Sequence, residues 1–154
     1  MKLGLDVHNY LQDKAIKHEI FLIDEPAKTA KRAAAILGLK LQEIVKSIIL
    51  KIDDKPFNAI IPGNKKVSLK KVKNLFADAK IKLVNSDEAV DLTGYMLGAT
   101  PPVAHKASTQ TIIDESLMGN EVLYTGSGEL NAMLKIRPED LVEVTEAIVA
   151  DISE

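Results

Sequence analysis

The stretch from Val45 to Ile52 limits the fold more than any other part of the chain. It reads Val-Lys-Ser-Ile-Ile-Leu-Lys-Ile, rich in the β-branched residues that pack well on a pleated, half-buried surface. Asp53-Asp54-Lys55-Pro56 follows with turn chemistry, and Phe57 to Ile61 supplies a partner strand. A hairpin is therefore expected near the middle of the chain, and the other elements must cover it.

Those elements announce themselves by caps and periodicity. Asp6 is expected to cap a first helix with Val7, Tyr10, Leu11 and Ala15 on one face. Thr29 opens an alanine-rich helix that Gly38 stops, with a short turn from Leu41 to Ile44 behind it. Ser68 caps a helix with Leu69, Val72, Leu75 and Phe76 on one side and lysines on the other. Asn85 and Glu88 have capping-box spacing before a helix closed by Gly94, and Pro138 opens a last helix with Glu139 and Asp140 in its first turn. Shorter strands are expected over 18–23, 81–84, 111–113, 122–124 and 132–136. Helices and strands mix without strict alternation, which predicts an α+β fold with a mixed sheet rather than a doubly wound one. At 154 residues, one domain over 1–154 with one core is expected.

Several chemistries are excluded by residue type. There is no cysteine, so no disulfide, thiolate metal site or cysteine nucleophile. His8, His18 and His105 form no metal-binding pair, and each reads as a surface or loop residue. Thr125 stands where a nucleophile-elbow glycine would precede Gly126-Ser127-Gly128, and Pro62-Gly63-Asn64-Lys65-Lys66 lacks phosphate-loop spacing. An enzyme built on this chain is expected to work without a metal, a cofactor or a protein nucleophile. The apolar stretches are only a few residues long, so no membrane span or secretory leader is expected and the cytosol is the default address.

The net charge of −2 conceals a lysine-rich segment: Lys65, Lys66, Lys70, Lys71, Lys73, Lys80 and Lys82, with Asp78 as its only acid. Such a cluster can draw nucleic acid by counterion release or can be a solvated helix face. Two further features stand out. With a strand period of two, Lys46 shares a face with Ile48 and Leu50. There it either carries its ammonium into a pocket or snorkels from the strand end. The loop from Gly94 to Val103 (Gly-Tyr-Met-Leu-Gly-Ala-Thr-Pro-Pro-Val) can hold backbone N–H groups in fixed positions suited to an oxyanion, or simply form a rigid turn. Gly126-Ser127-Gly128 is open to the same two readings.

Taken in order, Thr29 with its alanine-rich helix, Ile44-Val45-Lys46-Ser47-Ile48-Ile49, Gly94-Tyr95 to Pro102, and Tyr124-Thr125-Gly126-Ser127-Gly128 resemble the YbaK family of prolyl-tRNA-synthetase-associated editing domains. The resemblance runs over almost the whole chain. It implies an α+β fold with a curved mixed sheet flanked by helices, and a free-standing deacylase hydrolysing the ester of mischarged tRNA, with tRNA-Pro bearing a wrong small amino acid as substrate. It also implies the roles. Lys46 would hold the terminal adenosine and ester end, and Gly98 would lead a loop, through Ala99 and Thr100 to Pro102, that orients the carbonyl. Thr29, Ser47, Gly126, Ser127 and Gly128 would line the same cleft, with Tyr95 packed beneath the loop. The implied partners are the aminoacylated 3′ end of tRNA and an aminoacyl-tRNA synthetase. Three positions depart from the family pattern: Ala99 and Ala104 stand where glycines are usual, and Met133 stands where the cysteinyl-tRNA-specific branch often has aspartate. The alternative is a non-catalytic module of the same fold that binds tRNA or aminoacyl-adenosine.

Overall fold

The hairpin expected from sequence pairs β2 (Val45–Ile52) with β3 (Lys55–Pro62) over their full lengths, from Val45 opposite Pro62 to Ile52 opposite Lys55. In this computed structural model, which describes all 154 residues, the turn is only Asp53-Asp54. Both aspartates have positive φ, 49° and 65°, as a two-residue hairpin turn matched to strand twist requires. Lys55 and Pro56, expected in the turn, belong to β3. Pro56 is tolerated because the neighbouring strand β5 (Gln110–Asp114) begins its pairing only at Phe57, so no ladder bond is lost there.

Around this hairpin a mixed five-stranded sheet runs in the order β4-β2-β3-β5-β8, where β4 is Ile81–Leu83 and β8 is Ile148–Ala150. The β4, β2 and β3 pairings are antiparallel, and those of β3, β5 and β8 are parallel. β8 was not expected; three residues carry too little periodicity, and its place is set by the chain's return after α5 (Pro138–Thr145). A second, antiparallel sheet orders β1 (Glu19–Leu22), β7 (Ala132–Ile136) and β6 (Leu123–Gly126). The two sheets meet at a single bridge between Ile44 and Tyr124. The fold is α+β, with the strands divided between two sheets. No helix is long and apolar enough to cross a membrane.

One core packs Val45, Ile60 and Ile113 from the large sheet against Leu123, Leu134 and Ile136 from the small one. Val7 and Leu11 of α1 (Gly4–Asp13) close it. Leu50, Phe57, Ala59, Ile61 and Ile112 form the other face of the large sheet and bury Val72 of α3 (Leu69–Leu75). A third cluster seats α2 (Ala30–Leu37) through Ala33 and Ala34 on Ile44 and Met133.

Three local expectations are corrected. Asp6 does not cap α1 from outside but sits in its first turn, where its carboxylate accepts the Leu3 N–H at 2.7 Å. On α3 only Val72 is fully buried; Leu69 and Leu75 are 40% and 42% exposed, because a two-turn helix offers the sheet a single inward position. At α4 (Ser86–Thr93) Asn85 caps the Glu88 N–H, but the Glu88 carboxylate pairs with Lys51 of β2 at 2.6 Å instead of returning to Asn85.

Candidate active site

Beside the junction of the two sheets, three backbone segments approach so closely that only glycine fits at two of the contacts. Gly98 has φ +86°, and a β-carbon there would lie 2.6 Å from the Lys28 carbonyl oxygen. At Gly126, the last residue of β6, a β-carbon would lie 2.3 Å from the Thr100 carbonyl oxygen. The segment before α2, the loop from Leu97 to Thr100 and the end of β6 are thereby drawn around one cleft of about 360 Å³. The start of β2 supplies its remaining wall.

The cleft has two chemically different ends. Ala27, Ala30, Ala33, Ile44 and Met133 form a small apolar end. Lys28, Thr29, Lys46, Ser47, Gly98 and Thr100 provide the polar lining, with no carboxylate or imidazole among them. Neither lysine is paired with an acid. Lys46 is half-buried, and its ammonium donates to the Lys65 carbonyl oxygen at 2.6 Å. Burial, and secondarily the charge of Lys66, hold its pKa below the ordinary lysine value. A cation held by one neutral acceptor keeps donors free for an anionic or carbonyl ligand. Ser47 receives a long contact from the buried Asn58 amide, 3.4 Å away.

On the loop, the N–H groups of Gly98 and Thr100 make no hydrogen bond within the chain. Ala99, by contrast, is buried: its N–H donates to Met96 and its carbonyl accepts from Gly128. Ala99 lacks the positive φ that would favour glycine, whereas Ala104 does adopt it, with φ 63°. Tyr95 is fully buried, as expected, with its hydroxyl donating to the Ala104 carbonyl at 3.0 Å.

Of the residues singled out from sequence, Thr29, Lys46, Ser47, Gly98, Thr100 and Gly126 share the cleft. Thr29 is also engaged structurally, its hydroxyl accepting the Arg32 N–H at 3.1 Å to cap α2. Four others do not line it. Ser127 turns inward, its hydroxyl donating to the Ala132 carbonyl at 2.8 Å and reaching that of Glu129 at 3.1 Å. Gly128 is buried against Leu3, Gly4 and Tyr95, Ala99 lies beneath the loop, and Pro102 faces a separate cavity. In each case a tight turn alternates its residues between inside and outside, a phase that loop sequence does not reveal. Sequence reasoning missed Lys28 and the apolar end formed by Ala27, Ala30 and Ala33, and named Met133, which joins them, only as a departure from the family pattern. The alanine-rich composition of α2 was the available signal.

Residues 24–144 match the aminoacyl-tRNA editing domain family. A protein of Enterococcus faecalis named for Cys-tRNA(Pro)/Cys-tRNA(Cys) deacylation is 24% identical over 135 residues, covering 86% of this chain and 82% of its own. The proline–tRNA ligase of Geobacter sp. (strain M21) is 31% identical over 108 residues, or 70% of this chain; the match spans only 19% of that enzyme. Among solved structures, hypothetical protein APE2540 superposes with TM-score 0.91 and 34% identity, covering 97% of this chain and 99% of that one. A structure described as a trans-editing enzyme for prolyl tRNA synthetase gives TM-score 0.89 at 26% identity, covering 98% and 96%.

Proposed function

Because the chain belongs to the aminoacyl-tRNA editing domain family, we propose that it removes a wrong small amino acid from mischarged tRNA-Pro, acting in trans. The observation that carries this reading is the cleft itself: a small apolar end beside an unpaired lysine and two backbone N–H groups without partners in the chain. An aminoacyl ester carries a compact side chain, a carbonyl that becomes an oxyanion, and a terminal nucleotide with phosphates. The three parts of the cleft complement those three groups. Similarity to the structure described as a trans-editing enzyme supports action in trans. The cytosol, where aminoacyl-tRNA is made and used, is the corresponding place of action.

In this mechanism the oxygen of water, or of the terminal ribose hydroxyl, attacks the ester carbonyl carbon. The Gly98 and Thr100 N–H groups receive the developing oxyanion, a contribution typically worth about 2.7–4 kcal/mol for one donor. Lys46 leaves the Lys65 carbonyl to hold the terminal nucleotide and needs no role as a base. The bond to the ribose oxygen then breaks, that oxygen taking up the proton lost by the attacking water or hydroxyl, and releases the amino acid or, after ribose attack, an isomeric ester that water cleaves. The ester is already activated, so a cleft without a triad suffices. The biological need is clear: a synthetase pocket rejects one methylene by only about 1–3 kcal/mol, so a second, hydrolytic sieve is required. Lys65, Lys66, Lys70 and Lys73, beginning at the carbonyl that Lys46 touches, would meet the phosphates of the acceptor stem.

The test is amino-acid release from a panel of mischarged tRNAs, including alanyl- and cysteinyl-tRNA-Pro. Turnover of a small non-cognate member is expected. Binding of the panel without any release would replace this reading with that of a non-catalytic binding module.

A further inference from the structure

The loop from Gly98 to Pro102 has an unusual difficulty in holding its own shape. Pro101 and Pro102 lack N–H groups, so two of its donors are missing. A few residues on, Ala104 adopts φ 63°, a conformation that costs an L-residue free energy. The backbone bonds of Ala99 to Met96 and Gly128 hold the segment's first half; past them, side chains act on the carbonyl oxygens of Pro101 and Ala104. His105 Nε2 lies 2.7 Å from the Pro101 carbonyl. Lys2 Nζ and the Tyr95 hydroxyl both donate to the Ala104 carbonyl, at 2.8 and 3.0 Å. None of the three lines the cleft.

We propose that Lys2, Tyr95 and His105 form a positioning clamp that fixes the Gly98–Pro102 loop at its C-terminal end, through the carbonyls of Pro101 and, two residues beyond the loop, Ala104, and so sets where the Gly98 and Thr100 N–H groups meet the substrate ester. This rests on the reading of that loop as the seat of the reacting carbonyl. Because a carbonyl only accepts, His105 must carry its proton on Nε2. Burial favours the neutral ring and lowers its pKa; the bond to Pro101 opposes this, and the charge of Lys2 adds to it. Tyr95 packs against the ring at a steep angle, and the titratable groups that share the cavity with His105 are Tyr10 of α1, Lys14 just past its end, and Glu143 and Glu146 at the end of α5. A histidine whose folded pKa lies below its unfolded value contributes stability above the unfolded pKa and loses it as pH falls through the folded one. Acid therefore loads the clamp with a second cation beside Lys2.

The experiment compares His105→Ala, His105→Gln, Tyr95→Phe and the double variant Tyr95→Phe/Ala104→Gly in the full chain. For the tRNA that the panel identifies, His105→Ala should lower kcat about tenfold or more with KM nearly unchanged, since misplacement of the loop acts on the transition state. His105→Gln, which keeps an N–H donor, should recover most of that loss. Wild-type activity should fall on acidification below the ordinary histidine range, and this fall should vanish in His105→Gln. Ala104→Gly should rescue Tyr95→Phe, because glycine needs no help to hold positive φ. In parallel, amide NMR signals of Leu97, Gly98 and Thr100 should shift and broaden in His105→Ala and return in His105→Gln. Unmoved loop signals in His105→Ala would overturn the clamp whatever the activity, as would an unchanged kcat. A wild-type chain that releases nothing while those signals move as described would overturn the deacylase reading and leave the clamp standing as the support of the loop.

Discussion

Two concavities border the loop from Gly98 to His105, and the larger is not the one proposed as the active site. The cleft is about 360 Å³, whereas the cavity behind the loop is about 620 Å³. The rear cavity also holds more ionisable groups, including Lys14, His105, Glu143 and Glu146. Part of its polarity is spent internally: Lys14 lies over the Tyr10 ring at 5.3 Å, His105 bonds Pro101, Thr109 bonds Ala107 and Thr145 bonds Leu141, while Glu143 and Glu146 are in no ion pair. In the cleft, two lysines lack acids and two backbone N–H groups lack acceptors. What separates the two is composition rather than size or the number of unpaired groups: the cleft sets cations and backbone donors, with no carboxylate, beside a small apolar end, whereas the rear cavity mixes Lys14 with Glu143 and Glu146.

The sharpest way to break that contrast is to remove one lysine from each side. Lys46→Ala should reduce deacylation by about 10²–10³-fold, the range seen when a preorganised charge-stabilising group is lost. Lys14→Ala should leave kcat/KM close to wild type. Thermal melts should be similar for both, since neither lysine is in an ion pair. Equal losses from the two variants would mean that the cleft is not privileged.

Next in size is Gly98→Ala. The added methyl would meet the Lys28 carbonyl at 2.6 Å on a backbone of φ +86°, so the loop must shift. A displacement of about 1 Å in a catalytic group can cost roughly 10²-fold, and the loss should appear in kcat. Gly119→Ala, where a β-carbon meets nothing within 4 Å, is the matched control. A fully active Gly98→Ala would remove the loop N–H groups from the mechanism.

A smaller effect is expected beyond the cleft's rim. Reversing Lys70 and Lys73 to glutamate should weaken tRNA binding and flatten its salt dependence by about one unit of slope per lysine. Affinity and slope both unchanged would leave these lysines as an ordinary solvated face, and confine recognition to the cleft.

How legible this contrast was from sequence depends on the kind of signal each part leaves. The β2–β3 hairpin was readable because Val45–Ile52 combines β-branched composition with flanking turn residues. Thr29, Ser68 and Asn85 were readable because a cap is a local hydrogen bond. Lys46 could be placed on the face of Ile48 and Leu50 by period alone, but whether that lysine faced a pocket required knowing where Lys65 and α2 lie. The glycine-rich turns failed differently. Gly126 and Ser127 are neighbours, yet one lines the cleft and the other is bonded inward to Ala132, a difference set by non-local packing. His105 read as a loop residue, and it is one. Its contact with Pro101 depends on burial that no short window encodes. The rear cavity was invisible because it is assembled from α1, α5 and the loop, which are distant in sequence.

The smallest prediction separates two duties of Thr29, which both lines the cleft and caps α2. Its hydroxyl is already committed to the Arg32 N–H, so Thr29→Ala should cost about 1 kcal/mol of stability through the lost cap. In a chain of this size that corresponds to a fall in melting temperature of roughly 2–4 °C. Thr29→Ser keeps the oxygen and should keep the stability. If Thr29→Ser also keeps full deacylation, the cap alone accounts for this residue, by placing Lys28 and Ala30 against the loop. If it melts normally but loses activity, the threonine methyl packs against the substrate, and the apolar end of the cleft extends further toward Gly98 than Ala27, Ala30, Ala33 and Met133 define. Either result redraws the boundary between the part of the cleft proposed to bind a side chain and the part proposed to meet the carbonyl.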